Sequence, residues 1–179
     1  MLLHEGDPQR VATVLPDAVM SVERPILHLT IGTLIENGWT VRLVRWSSDS
    51  PSVDEAEAHA ARELDAVEAG VHLAVGFSLG SAAAPAVVDR HLPALWIRPL
   101  LRDDRIKAAL AATLEPGLLV GGTGDVEWDG GFARTTRLQV HEVDDADSSL
   151  EIPGSVRATL KSLTRTLKRI EDFVRGLET

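Results

Sequence analysis

Residues 71–88 constrain the fold more than any other stretch of this chain. An apolar run, Val71 to Val75, leads into Gly76-Phe77-Ser78-Leu79-Gly80, and a small-residue run, Ser81 to Val88, leads out. The spacing is G-x-S-x-G. A strand, a sharp turn carrying a serine and then a helix is the arrangement that lifts a hydroxyl above the edge of a parallel sheet. Glycines suit such a turn because side chains there collide with neighbouring backbone.

The rest of the chain alternates in the same way. Val11 to Leu15 is a short β-branched run that ends at Pro16. Pro25 to Glu36 has a helical pattern, with Ile26, Leu29 and Leu34 near one face and Asn37-Gly38 suited to its end. Thr40 to Trp46 reads as a strand. Ser52-Val53-Asp54-Glu55 has the form of a capping box, and the helix it opens runs to about Ala69. Val71 to Phe77 is the third strand, and Ser81 to Val88 the helix after it. Ala94 to Ile97, Leu118 to Val120 and Arg137 to Val143 are further strands, with a helix over Asp103 to Thr113. Gly154 to Gly176 closes the chain as a helix whose stripe is Leu160, Leu163, Leu167, Ile170, Val174 and Leu177.

These strands are continuous apolar runs, so both of their faces are covered. The expected fold is α/β: a three-layer sandwich with a mostly parallel sheet of about six strands, in one domain spanning 1–179. In such sheets function gathers beyond the carboxyl ends of the strands.

Composition narrows the function. The chain has 179 residues, 44% of them hydrophobic, which suits a single globular core. No apolar stretch approaches the roughly 20 residues that span a bilayer, so no membrane partner is expected. Met1-Leu2-Leu3-His4-Glu5 lacks a basic segment followed by an apolar one, the mark of a signal peptide. Cysteine is absent, which excludes disulfides and thiolate chemistry; the expected compartment is the cytoplasm. A net charge of −9 makes nucleic acid an improbable partner. The basic residues of the last helix read as a solvated face. No histidine pair has metal-ligand spacing, and no cofactor is expected.

The order of motifs resembles the α/β-hydrolase superfamily, in particular its small, lidless members similar to dienelactone hydrolase. The resemblance rests on Gly76-Phe77-Ser78-Leu79-Gly80, Ala94-Leu95-Trp96-Ile97-Arg98-Pro99-Leu100-Leu101, Gly122-Thr123-Gly124-Asp125 and Ala146-Asp147-Ser148-Ser149-Leu150-Glu151. It implies Ser78 as the nucleophile and Asp125 as the acid that orients an imidazole. It also implies an oxyanion hole from the backbone N–H of Leu79 and another N–H from the loop Pro16-Asp17-Ala18-Val19-Met20, with Asp17 and Ala18 as its candidates. Met20 and Trp128 are candidate pocket walls, and a small molecule is the implied ligand or substrate.

Two positions depart from the family pattern. Members read A-D-H-S-L before the last helix, where this chain reads Ala146-Asp147-Ser148-Ser149-Leu150, so Ser148 stands in the histidine's place. A hydroxyl cannot take and return a proton near neutral pH as an imidazole does. Of the six histidines only His141 follows Asp125, and it lies inside a strand. The second departure is Asp17, where members carry glycine; a carboxylate there opposes a developing oxyanion. The resemblance and these departures imply an esterase-type serine hydrolase of a small ester or acyl substrate, impaired at Ser148, or a non-catalytic homologue acting as a ligand-binding or interaction module.

Overall fold

The structure, a computed structural model, describes residues 1–18 and 24–177. A seven-stranded sheet forms its middle layer, built from β1 (Leu2–His4), β2 (Asp7–Leu15), β3 (Trp39–Leu43), β4 (Val71–Phe77), β5 (Ala94–Ile97), β6 (Gly117–Gly122) and β7 (Gln139–Val143). The spatial order is β1-β3-β2-β4-β5-β6-β7. Only the edge strand β1 runs antiparallel, pairing with β3; the other pairs are parallel. β1 was not foreseen, because three residues with exposed leucines carry no burial pattern.

Helices cover both faces. On one side α1 (Pro25–Glu36) and α6 (Val156–Gly176) pack on Val14, Leu73, Val75, Leu95, Ile97, Leu118 and Val120. On the other, α2 (Val53–Asp65), α3 (Ala84–Asp89) and α4 (Asp104–Ala112) cover Leu15, Ala74, Trp96 and Leu119. A four-residue helix, α5 (Gly130–Ala133), joins this second layer. Alternate strand residues thus feed two separate cores, as the unbroken apolar runs require.

The caps set the helix bounds. Ser52 and Glu55 form the full capping box at the start of α2. Asp103 caps α4 by accepting from the N–H groups of Arg105 and Ile106. α6 starts at Val156 rather than Gly154: Gly154 lies at φ 78°, and Ser155 caps the helix instead. Two expected helix faces are rotated. Leu29 and Leu160 point outward, at 39% and 60% exposure. Thr30 and Thr166 are buried in their stead, because each hydroxyl finds a partner: Thr30 donates to the Ile26 carbonyl, and Thr166 bonds His141.

The register places the site. Leu15, Gly76, Trp96 and Leu119 stand side by side across β2, β4, β5 and β6. Two residues further along, β4 and β5 deliver Ser78 and Arg98 as neighbours at the carboxyl edge. The segment after β4 is a 3-10 turn over Ser78–Ala83 before α3 begins, not one helix from Ser81. Pro85, at the first turn of α3, cannot donate a hydrogen bond back into the preceding turn, so the helix restarts there.

Candidate functional site

The turn that carries Ser78 is closely packed. A Cβ on Gly80 would stand 1.9 Å from the Leu15 carbonyl oxygen, and one on Gly76 would stand 2.6 Å from the Trp96 ring. Neither position tolerates a side chain without moving backbone or a buried indole. Between these glycines Ser78 adopts φ 51°, a conformation that costs an L-residue roughly 1–2 kcal/mol. Ser81, fully buried, holds the turn in place: its hydroxyl donates to the Ser78 carbonyl at 2.7 Å and accepts from the Leu100 N–H at 3.0 Å. The turn after β4 is thereby tied to the loop after β5.

Arg98 begins that loop. Its N–H donates to the Val120 carbonyl at 2.7 Å, and its backbone lies at φ 51°. Pro99 follows it and disfavours the helical region for residue 98. The left-handed backbone aims the guanidinium across the carboxyl edge. Nη1 donates to Ser78 Oγ at 2.7 Å, and Nε donates to Asp125 Oδ2 at 2.7 Å. Nη2 stands 3.5 Å from Asp125 Oδ1. Asp125, in the turn after β6, also accepts at Oδ1 from the Glu127 N–H. Its side chain is 2% exposed, and that of Arg98 is 17% exposed.

One guanidinium therefore joins the Ser78 hydroxyl, in the turn after β4, to the Asp125 carboxylate two strands away. Residue-by-residue reading of the sequence gave Arg98 no role. The available signal was a charged residue directly after four apolar strand residues, at the sheet edge where function gathers.

The other sequence candidates are distributed as follows. Ser148 is exposed, and no hydrogen bond joins it to Ser78 or Asp125. Its neighbour Ser149 is buried and accepts from Arg24 Nη1 at 2.7 Å. The Asp147 carboxylate accepts from the N–H groups of Ser149 and Glu151, which fixes that loop. His141 is half-buried and bonded to Thr166 Oγ1 at 3.0 Å; burial, and then Arg169, hold its pKa below the ordinary histidine value. Asp17 Oδ1 accepts from the Ala18 N–H at 2.9 Å, so the carboxylate covers the backbone donor expected of that loop. Leu79 is buried beside Ser78. Met20 lies outside the described residues. The Trp128 ring is buried in the core with Leu119 and Trp96, and its Nε1 donates to Glu142.

Among the described residues, no group of three or more His, Asp or Glu side chains could hold a metal ion. No helix among them is long and apolar enough to cross a membrane.

Solved structures share this architecture over nearly the whole chain. Dienelactone hydrolase from Anabaena variabilis matches with a TM-score of 0.72 at 14% identity, covering 94% of this chain and 86% of that one. A lidless α/β serine hydrolase from Xanthomonas campestris matches at 0.68 and 18% identity, covering 96% and 83%. Est1E from Butyrivibrio proteoclasticus, solved with ferulic acid bound, matches at 0.69 and 11% identity, covering 93% and 88%. No protein-family model matches the sequence, and no curated protein matches it.

Proposed function

We propose, from the α/β-hydrolase fold that this chain has, that it carries an esterase-type serine site impaired for turnover and that the site binds a small molecule. One observation carries this reading: Arg98 lies 2.7 Å from both Ser78 Oγ and Asp125 Oδ2, the two groups that an imidazole bridges in a working triad.

The chemistry of the two groups differs at the essential step. A serine attacks an acyl carbon only if a base removes its proton. The imidazole accepts that proton at one nitrogen while the acid holds the other. Arginine has five N–H donors and no acceptor, and it keeps its proton. It donates into the serine lone pair and takes nothing back. Asp125, directed at Arg98 instead, has no imidazolium to stabilise. The expected oxyanion site is altered as well, since the Ala18 N–H is bonded to Asp17. A carboxylate in that position repels the negative charge that forms on an attacked carbonyl oxygen.

The test is turnover of p-nitrophenyl acetate together with labelling of Ser78 by a fluorophosphonate. The native chain is expected to show neither Ser78-dependent turnover nor stoichiometric labelling within minutes. Ser148→His alone should change little, because Arg98 still holds Ser78 and Asp125. Adding Arg98→Ala to Ser148→His should raise Ser78-dependent turnover by about 10² or more, part of the ~10⁴ that a base is worth to a triad. Rapid labelling of the native chain would overturn the reading.

A further inference from the structure

Resting on that reading, we infer that the site takes a carboxylate, held by the two N–H groups of Arg98 that Asp125 and Ser78 leave unused, beside the Ser78 hydroxyl. A guanidinium has five N–H groups. Arg98 uses Nε–H and one Nη2–H toward Asp125, and one Nη1–H toward Ser78. One N–H on Nη1 and one on Nη2 remain. N–H donors on a cation make their strongest hydrogen bonds to ionised acceptors such as the oxygens of a carboxylate.

Asp125 fixes the guanidinium without using all of its donors. It grips the Nε side at 2.7 Å and is itself steadied by the Glu127 N–H. Arg98 thereby arrives with its rotamer set, which lowers the entropy cost of binding. Ser78 Oγ accepts from Nη1, so its own proton is left to donate, and an anion is the best acceptor for a hydroxyl polarised by a cation.

Two other carboxylates of the carboxyl-end loops have backbone partners of their own. Asp17 is engaged with the Ala18 N–H, and Asp147 with the N–H groups of Ser149 and Glu151. A second guanidinium stands on the same side. Arg24, ahead of α1, is anchored on Ser149, one residue from Ser148. In a chain with a net charge of −9, two arginines are thus brought to the loops at the carboxyl ends of β2, β5 and β7. The left-handed backbone of both Ser78 and Arg98 marks the arrangement as held by its surroundings rather than adopted by default.

The experiment is a titration of the full chain with benzoate and, separately, with benzamide, which has nearly the same shape and no charge. Binding is read by calorimetry and by the amide signals of residues 78–80 and 98. Benzoate is expected to bind at least ten-fold tighter than benzamide. Arg98→Lys, which keeps the charge and removes the guanidinium N–H groups, should reduce that preference several-fold. The pair Arg98→Met with Asp125→Asn removes both charges together and should abolish the preference in a chain whose thermal unfolding confirms that it folds. Equal affinities, no binding of benzoate, or a preference unchanged in the double variant would overturn the proposal. Benzoate has no bond to hydrolyse, so this outcome is independent of turnover: an active enzyme would sink the impaired-site reading and leave the carboxylate result standing or falling by itself.

Discussion

Near the amino end of β4, His72 and Thr13 share a hydrogen bond of 2.8 Å inside the sheet, at 8% and 1% exposure. Six residues further on, at the carboxyl end, Ser78 meets Arg98 and Asp125. Both are polar groups removed from water, yet they are built differently. The first pair is neutral: burial, and then the charge of Arg42, push the His72 pKa down to about 4. It lies on regular strand backbone and joins β2 to β4. The second group is charged, includes two residues with left-handed backbone, and keeps part of its cation in contact with solvent. A buried polar pair that only supports the fold is satisfied within it. The group at the carboxyl edge retains donors, and strained backbone holds them in place.

The largest expected effect separates the two ends by charge. Arg98→Met strands the Asp125 carboxylate at 2% exposure, and removing one partner of a buried ion pair typically costs 3–5 kcal/mol. About 4 kcal/mol of lost stability is expected from urea denaturation at neutral pH. Adding Asp125→Asn should recover more than half of it, because the uncompensated charge is gone. If Arg98→Met costs under 1 kcal/mol, the guanidinium is not a buried partner of Asp125 and the contrast between the two ends fails.

Acid should expose the neutral end. His72 is uncharged in the folded chain until pH falls to about 4, whereas an unfolded histidine takes its proton near 6.5. Between those values the unfolded state binds the extra proton, so stability falls as pH falls and levels off below about 4. The shift corresponds to on the order of 3 kcal/mol. His141, also held low by burial, adds to the same slope. Denaturation at several pH values should show the loss, and His72→Gln should flatten the larger part of it. An unchanged slope in that variant would remove His72 from the account.

The same contrast explains what could be read from the sequence. β4, β5 and α1 were legible to the residue, because their apolar runs end at glycine, proline or Asn37-Gly38. Thr166 was not legible as a core residue, since its burial depends on His141 in another element. Ser78 was named from a turn that carries its own spacing, and Asp125 from the family resemblance. The contact between them was not, because it runs through Arg98, 20 residues from Ser78 and 27 from Asp125 in sequence. A motif scan looks for the residue that performs a known step. It does not find one that fills the same place with the opposite proton chemistry.

A smaller effect is expected from Thr13→Val, which leaves the His72 ring buried with its partner removed. The cost of an unsatisfied buried group is roughly 1–3 kcal/mol, so about 2 kcal/mol should be lost at neutral pH. Benzoate binding at the other end should not change: the six strand positions between them span about 20 Å, and sites that far apart behave additively. Coupled loss of binding would show that the two ends are one unit.

The smallest effect isolates backbone strain. Ser78→Ala and Ser78→Gly both remove the hydroxyl that accepts from Arg98, so the lost hydrogen bond is common to the two variants. They differ in the cost of φ 51°, which glycine adopts freely and alanine does not. The glycine variant should therefore be the more stable by about 1 kcal/mol, less whatever its greater freedom in the unfolded chain returns. Elsewhere in regular structure the same exchange runs the other way, with glycine the weaker residue. A glycine variant less stable than the alanine one would mean that the turn relaxes once the hydroxyl is gone, and that Arg98 imposes the conformation of residue 78 rather than meeting it there.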